Sequence, residues 1–438
     1  MKHLFKYQLK QGVGAPPSPV VKAGDMVKRG QVIAEADLTK LCVPLHASVN
    51  GVVKEVTETH IIVEQSDDNK DFVKIDQSGS IADVVRNAGL IGLGGAGFPA
   101  YVKLKTQLKP GGFLIVNAAE CEPVLEHNMD QIVNETEKMI GGLRLAMEST
   151  GADHGIIGIK LKHKEEIKLI IKYLKDNKIT DIRVLPLRNI YPVGEERALI
   201  RDTINVLLPP GALPSEANSV VFNVETLCAI YDAVNEGKPL IDKHLTVAGR
   251  LNDLPEHTVK TLTVPIGYAI DDIVADFGGL KLPIGEIVLG GPYTGKRAVE
   301  GAAVEKTTGG ILVTQEFKPV KGKLGLIQCA CGASKTRMEE VAASMSAEVV
   351  GHQICKNAHE ANGNYKCENP GHCPGQAEKV LELRKLGAEE VLISHCTDCS
   401  NTVMGSAPKL KMEVHHMTDH VLETMGMPVI REFDETQL

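Results

Sequence analysis

The sequence predicts a multidomain α/β protein, and three observations carry that reading. Strand-like apolar runs alternate with helical periodicity between residues 76 and 240. A second alternation begins near residue 321, and the first 75 residues read as short strands punctuated by glycine turns. A chain of 438 residues is long enough for roughly two to four domains with cores of their own. With no tryptophan and 4% aromatic residues, those cores have to be aliphatic.

Taken in order, residues 1–75 form an all-β module: 20–34 holds two short strands around glycine turns, and 48–53 repeats that chemistry. Residues 76–240 carry strands at 113–116, 155–160 and 181–186, with helical spacing over 164–175. A strand, a helix and a strand in that order imply parallel pairing, which brings the carboxyl ends of the strands to one edge. Residues 241–320 return to short strands at 245–249, 257–264 and 286–289, with one helix at 270–275. Residues 321–438 begin a new α/β pattern, with strands at 324–328, 348–354 and 390–394 and helices at 335–345 and 376–386.

Four blocks carry chemistry. The stretch 92–97 places Gly92, Gly94, Gly95 and Gly97 ahead of a helical pattern, leaving backbone amides bare beside Lys103, an arrangement suited to a phosphate. Asn117, Glu120 and Glu122 end the strand at 113–116, where open parallel sheets place ligands. Tyr191, Gly194, Glu195 and Glu196 precede a helix, and Asn223 follows another apolar run. Cys121 and Cys228 read as small buried residues.

These four blocks, in this order, resemble the flavin- and NADH-binding subunit of respiratory complex I and, more closely, the RnfC subunit of the Rnf electron-transport complex. The resemblance implies an FMN and NADH site. Gly92, Gly94, Gly95, Lys103, Asn117, Glu120, Tyr191, Gly194, Glu195 and Asn223 would contact the flavin, and Phe98, Glu122 and Glu196 would face NADH. Ala119 stands where complex I has aspartate, and Phe222 replaces the first of an asparagine pair. The same resemblance implies a barrel-sandwich hybrid for residues 1–75, similar to lipoyl carriers without their lysine motif, and a β-grasp module of the SLBB type with its connector for 241–320.

The last 118 positions, 321–438, depart from that family, whose paired ferredoxin motifs are absent. Three parallel strands would bring Cys329, Cys331, Cys355, Cys396 and Cys399 to one edge, with Cys367 and Cys373 in the loop between. Two uses stay open. The Cys329/Cys331 and Cys396/Cys399 pairs suit dithiol–disulfide chemistry, whereas Cys329, Cys331, Cys355, Cys367, Cys373, Cys396 and Cys399, with His352 or His372, suit zinc or an iron–sulfur cluster. His415 and His416 read as surface residues.

Over its whole length the chain resembles the RnfC-like electron-transfer proteins of amino-acid-fermenting anaerobes. That resemblance implies an NADH-dependent flavin oxidoreductase delivering electrons to D-proline reductase. Two alternatives are a reductase of another acceptor such as a corrinoid, and a flavin-free scaffold subunit with a structural zinc domain. Net charge of −8 with interspersed signs argues against a nucleic-acid partner. No apolar run reaches membrane-spanning length, and the first residues lack a signal-peptide core, so a cytoplasmic protein in a homo- or hetero-oligomer is expected. Ten cysteines in a chain of this length fit metal or redox work in a reducing compartment.

Overall fold

The computed structural model describes residues 3–361, 363–394 and 402–429. The N-terminal module consists of two facing antiparallel sheets. One orders Leu4–Gln8, His60–Gln65, Gly51–Val56 and Met26–Val27; the other orders Ser18–Pro19, Val32–Glu35 and Leu45–His46. Alternation sets which side faces inward: in Leu4–Gln8, Phe5 and Tyr7 are buried while Leu4 is exposed.

The second layer is a four-stranded, wholly parallel sheet in the order Ile182–Leu187, His154–Lys160, Phe113–Ala118, Ser219–Asn223. Its central strands are apolar along their length because helices cover both faces. Lys164–Asp176 buries Ile167, Ile170 and Leu174, one helical stripe, and leaves its lysines to solvent. The barrel and this layer share one continuous apolar core. The join is close enough that Val13 N–H donates to Gly97 O at 3.1 Å, and a Cβ on Gly12 would lie 2.3 Å from that oxygen.

A mixed five-stranded sheet follows, ordered Val259–Pro265, Asp242–Gly249, Gly310–Val313, Ile287–Leu289, Lys296–Arg297, with the helix Ile270–Asp276 packed on it. The C-terminal sheet orders Glu348–Ile354, Lys323–Gln328, Glu390–Ile393 and Glu413–His416, all parallel. Its fourth strand is absent from the sequence reading and corrects it: His416 is 2% exposed, and His415 is bonded to Glu390 at 2.6 Å. A hairpin of Ala358–Ala361 and Asn364–Cys367 stands outside this sheet.

Buried charge ties the last two sheets together. Glu286 accepts from Arg297 at 2.7 Å, from His420 at 2.8 Å and from both terminal nitrogens of Arg337. Burial pushes the Glu286 carboxyl up, but the bonds from His420 and Arg337 outweigh it and hold the group below its ordinary value. Among the described residues, no helix is long and apolar enough to cross a membrane.

Candidate functional site

The glycine loop lies at the carboxyl edge of the parallel sheet. Gly92 N–H donates to Phe98 O at 2.8 Å, which closes the loop on itself, and Leu93 N–H donates to Thr226 Oγ1 at 3.0 Å. Gly94, Gly95 and Ala96 are exposed. A Cβ on Gly94 would sit 2.6 Å from Asn223 Nδ2, whereas one on Gly95 would meet nothing within 4 Å. The loop is therefore a bare strip of backbone with open space over Gly95 and an amide side chain under Gly94.

The helix after the loop differs from expectation. Ala100–Leu104 is five residues long and has no side-chain cap, so its macrodipole contributes little to anion binding and the loop amides and Lys103 are left with that role. Lys103 Nζ is itself engaged, with Glu196 Oε1 at 3.1 Å and Val221 O at 3.0 Å, and lies 5.8 Å from the Phe222 ring centroid. The cation assigned to flavin phosphate and the carboxylate assigned to NADH thus form one half-exposed pair. Phe222, where the family has asparagine, supplies an apolar face beneath the ammonium.

The acidic loop and the Tyr191 block meet as their positions at the sheet edge require. Asn117 Nδ2 donates to Gly194 O at 2.8 Å, and Gly194 N–H donates to Cys121 Sγ at 2.9 Å. A Cβ on Gly194 would lie 2.5 Å from Ala119 O, so the two loops touch backbone to backbone. Glu195 caps the helix Glu196–Ile204, accepting from Arg197 N and Ala198 N at 2.9 and 3.0 Å. Asn223 caps Val224–Tyr231 through Glu225 N at 2.9 Å. Glu120 accepts from Asn128 Nδ2 at 2.9 Å and from Glu122 N at 3.1 Å.

Glu122 reaches across to the third sheet, accepting from Tyr293 N at 2.7 Å and from Thr294 N at 3.0 Å. Burial pushes its carboxyl up to about 7, against the lowering effect of the Thr294 and Tyr293 bonds. Burial also raises Glu120 and Glu195. Part-protonated carboxyls keep this edge less negative than its composition suggests, which suits an anionic dinucleotide. Because the folded protein holds the Glu122 proton up to about 7, that contribution to stability is fully present below the ordinary carboxyl value of 4.5 and is lost as pH rises through 7. The melting temperature is expected to fall between pH 5 and 7.5 by more in the native protein than in Glu122→Gln; parallel melting curves for the two would refute this assignment.

The C-terminal cysteines face this edge. Tyr191 is buried, its ring centroid is 4.2 Å from that of Tyr293, and its hydroxyl donates to Cys331 O. Tyr191, Tyr293 and Cys329 form a small packed group that Cys121, Cys331 and Cys373 join. The sequence reads Cys121 as a small core residue; it is instead half-buried at this junction, whereas Cys228 is core at 3% exposure. The place of Cys121 between Glu120 and Glu122 at a strand terminus was the available signal.

Among the C-terminal cysteines, the Cys331 thiol hydrogen-bonds with Cys329 and Cys367. Those two bonds, and then burial, raise Cys331, while the bond from Cys331 lowers Cys367. Cys355 and Cys373 share Gln376, whose Nε2 is 2.9 and 3.8 Å from their sulfurs. Cys396 and Cys399 lie outside the described residues. His352 is bonded to Gln328 Oε1 at 3.0 Å, and His372 is exposed. Among the described residues, the cysteine sulfurs do not close by themselves into a group of three metal-type ligands, while Glu390, Glu413 and His415 do.

Sequence reasoning missed the two arginines that hold this junction. Arg197 donates to the carbonyls of Leu208, Cys367 and Glu368, and Arg201 to Asn369 Oδ1 at 2.6 Å and Pro370 O at 2.7 Å. Both lie on the helix that Glu195 caps.

Residues 85–232 match the Nuo51 FMN-binding domain family, and residues 1–78 match the RnfC barrel sandwich hybrid domain. The corresponding subunit of the Na(+)-translocating ferredoxin:NAD(+) oxidoreductase complex of Acetobacterium woodii is 33% identical over 337 residues, covering 72% of this chain and 74% of that one. Cobalamin reductase PduS of Citrobacter freundii is 38% identical over 235 residues, covering 53% of this chain and 49% of that one. Among solved structures, an NAD+-reducing NiFe hydrogenase in the H2-reduced state aligns with 53% of this chain and 46% of its own, at 23% identity and a TM-score of 0.46.

Proposed function

We propose, from the premise that this chain belongs to the RnfC family of Rnf complex subunits, that it is an NADH-dependent flavin oxidoreductase passing reducing equivalents to its C-terminal cysteines. The observation that carries this reading is the bare Gly94–Gly95 backbone, with open space above Gly95, set beside Lys103 and Asn223. That donor set fits FMN phosphate. When bound, FMN accepts hydride from NADH and releases the electrons singly or in pairs.

The chain's own residues bind and orient. Gly92, Gly94, Gly95, Lys103 and Asn223 hold phosphate; Asn117, Glu120, Tyr191, Gly194 and Glu195 line the ring; Phe98, Glu122 and Glu196 meet the nicotinamide. Contact between Tyr191 and Cys331 supports a short route to the cysteines. D-proline reductase is the proposed acceptor and a cytoplasmic complex the proposed setting. A corrinoid is the second reading, favoured by the likeness to a cobalamin reductase. Zinc or an iron–sulfur cluster on Cys329, Cys331, Cys355, Cys367, Cys373, Cys396 and Cys399 remains the competing use of the cysteines.

Protein purified without oxygen is expected to show a flavin spectrum that NADH bleaches. A colourless, zinc-only protein would make it a scaffold. Glu196→Gln is expected to slow NADH-dependent bleaching roughly five- to tenfold with flavin content unchanged, the scale of one half-exposed charge contact. Loss of the flavin itself would move Glu196 from the nicotinamide to the phosphate.

A further inference from the structure

The flavin-type domain grips the two segments that carry Cys331 and Cys367. Tyr191 OH holds the Cys331 carbonyl, Arg197 holds the carbonyls of Cys367 and Glu368, and Arg201 holds Asn369 and Pro370. Between those anchors, the two thiols are hydrogen-bonded to each other. Cys331 follows the strand Lys323–Gln328, and Cys367 closes the hairpin Asn364–Cys367, so the sulfurs meet from separate elements. Cys367 is 8% exposed and Cys331 is half-buried, which leaves one of the two sulfurs nearer to solvent.

A disulfide requires its sulfurs to approach to about 2.05 Å, with Cα atoms roughly 4.4–6.8 Å apart and a preferred dihedral angle. Cys329 and Cys331 are separated by one residue, so a bridge between them closes a very small ring and strains the backbone. Cys331 and Cys367 have no such ring to close.

We propose that Cys331 and Cys367 are a redox-active pair, joined as a disulfide when oxidised and present as two thiols when reduced, that draws its electrons from the adjoining flavin cradle. The proposal rests on the electron-transfer reading above and replaces the Cys329/Cys331 pairing expected from sequence. In reduction, the Cys331–Cys367 S–S bond breaks, takes two electrons from a reduced flavin and two protons from solvent, and yields two thiols. In reoxidation, the thiolate of one attacks a disulfide of a partner protein to form a mixed disulfide. The second then attacks that bond, restoring Cys331–Cys367 and releasing the partner as a dithiol. The anchors at Tyr191 and Arg197 hold both backbones while the sulfurs join and part.

The test is thiol mapping on the full-length protein. Samples are oxidised with diamide or reduced with dithiothreitol, alkylated on denaturation, digested and read by mass spectrometry, with metal content measured on the same material. The expected result is a Cys331–Cys367 crosslink after diamide that is lost in Cys331→Ser and in Cys367→Ser. NADH alone is expected to open it in flavin-loaded protein and to leave it closed in flavin-stripped protein. A crosslink from Cys331 to Cys329, a pair that NADH leaves closed in loaded protein, or stoichiometric metal lost in both variants overturns the proposal. The crosslink is read on the native chain, so a variant that fails to fold does not decide the matter. Flavin content and bleaching are recorded separately: native protein that takes up no flavin refutes the electron-transfer reading itself, whatever the crosslink shows.

Discussion

Gly94→Val is expected to purify without flavin. Its Cβ would be placed 2.6 Å from Asn223 Nδ2 and 3.0 Å from Asn223 Cβ, closer than side chains pack. Asn223 has no room to withdraw, because it terminates the strand Ser219–Asn223 while its Oδ1 accepts Glu225 N–H at 2.9 Å. The loop has to move outward instead. A displacement near 1 Å at a preorganised site costs on the order of 100-fold. Gly95→Ala separates binding from folding: its Cβ meets no protein atom within 4 Å, so the melting temperature is expected to hold while flavin is weakened by a methyl group in the space assigned to phosphate. Full flavin retention in both variants, read from absorbance after gel filtration, would remove the cradle from this loop.

Lys243→Met is expected to lower stability by about 3–5 kcal/mol, the usual cost of leaving one partner of a buried ion pair uncompensated. Lys243 and Glu225 are 0% and 5% exposed and bonded to each other, and Glu225 also accepts His244 N–H at 2.9 Å. Glu225 stands in the first turn of the helix capped by Asn223, so the pair fastens the third sheet to the wall of the cradle. Adding Glu225→Gln is expected to recover part of the loss, because the unpaired carboxylate is then gone. Urea unfolding of the single and double variants provides the check. A shift below about 1 kcal/mol for the single variant would mean that water or relaxation compensates the carboxylate.

The parallel sheet was legible because its signals are local: a short apolar run ending in polar or glycine residues identifies a buried parallel strand without reference to the rest of the chain. Phe113–Ala118 and His154–Lys160 both read that way. Glu413–His416 did not, since Glu-Val-His-His has one apolar residue in four, and only its place beside Glu390–Ile393 buries His416. Distance along the chain hid the rest. Glu122 and Tyr293 are 171 positions apart, and Arg197 and Cys367 are 170 apart. No periodicity links such positions, so the docking of cysteines on the cradle emerges only with tertiary packing. Lys103 and Glu196 were each legible as site residues, but their mutual pairing was not.

The contact of Gly12 with Gly97 reaches beyond the cradle. The barrel's opening hairpin serves as the back wall of the phosphate loop, with no side chain between the two backbones. A shortened protein starting after residue 76 would lose that wall, and any binding event that levers the barrel outward would slacken the loop and let its guest escape.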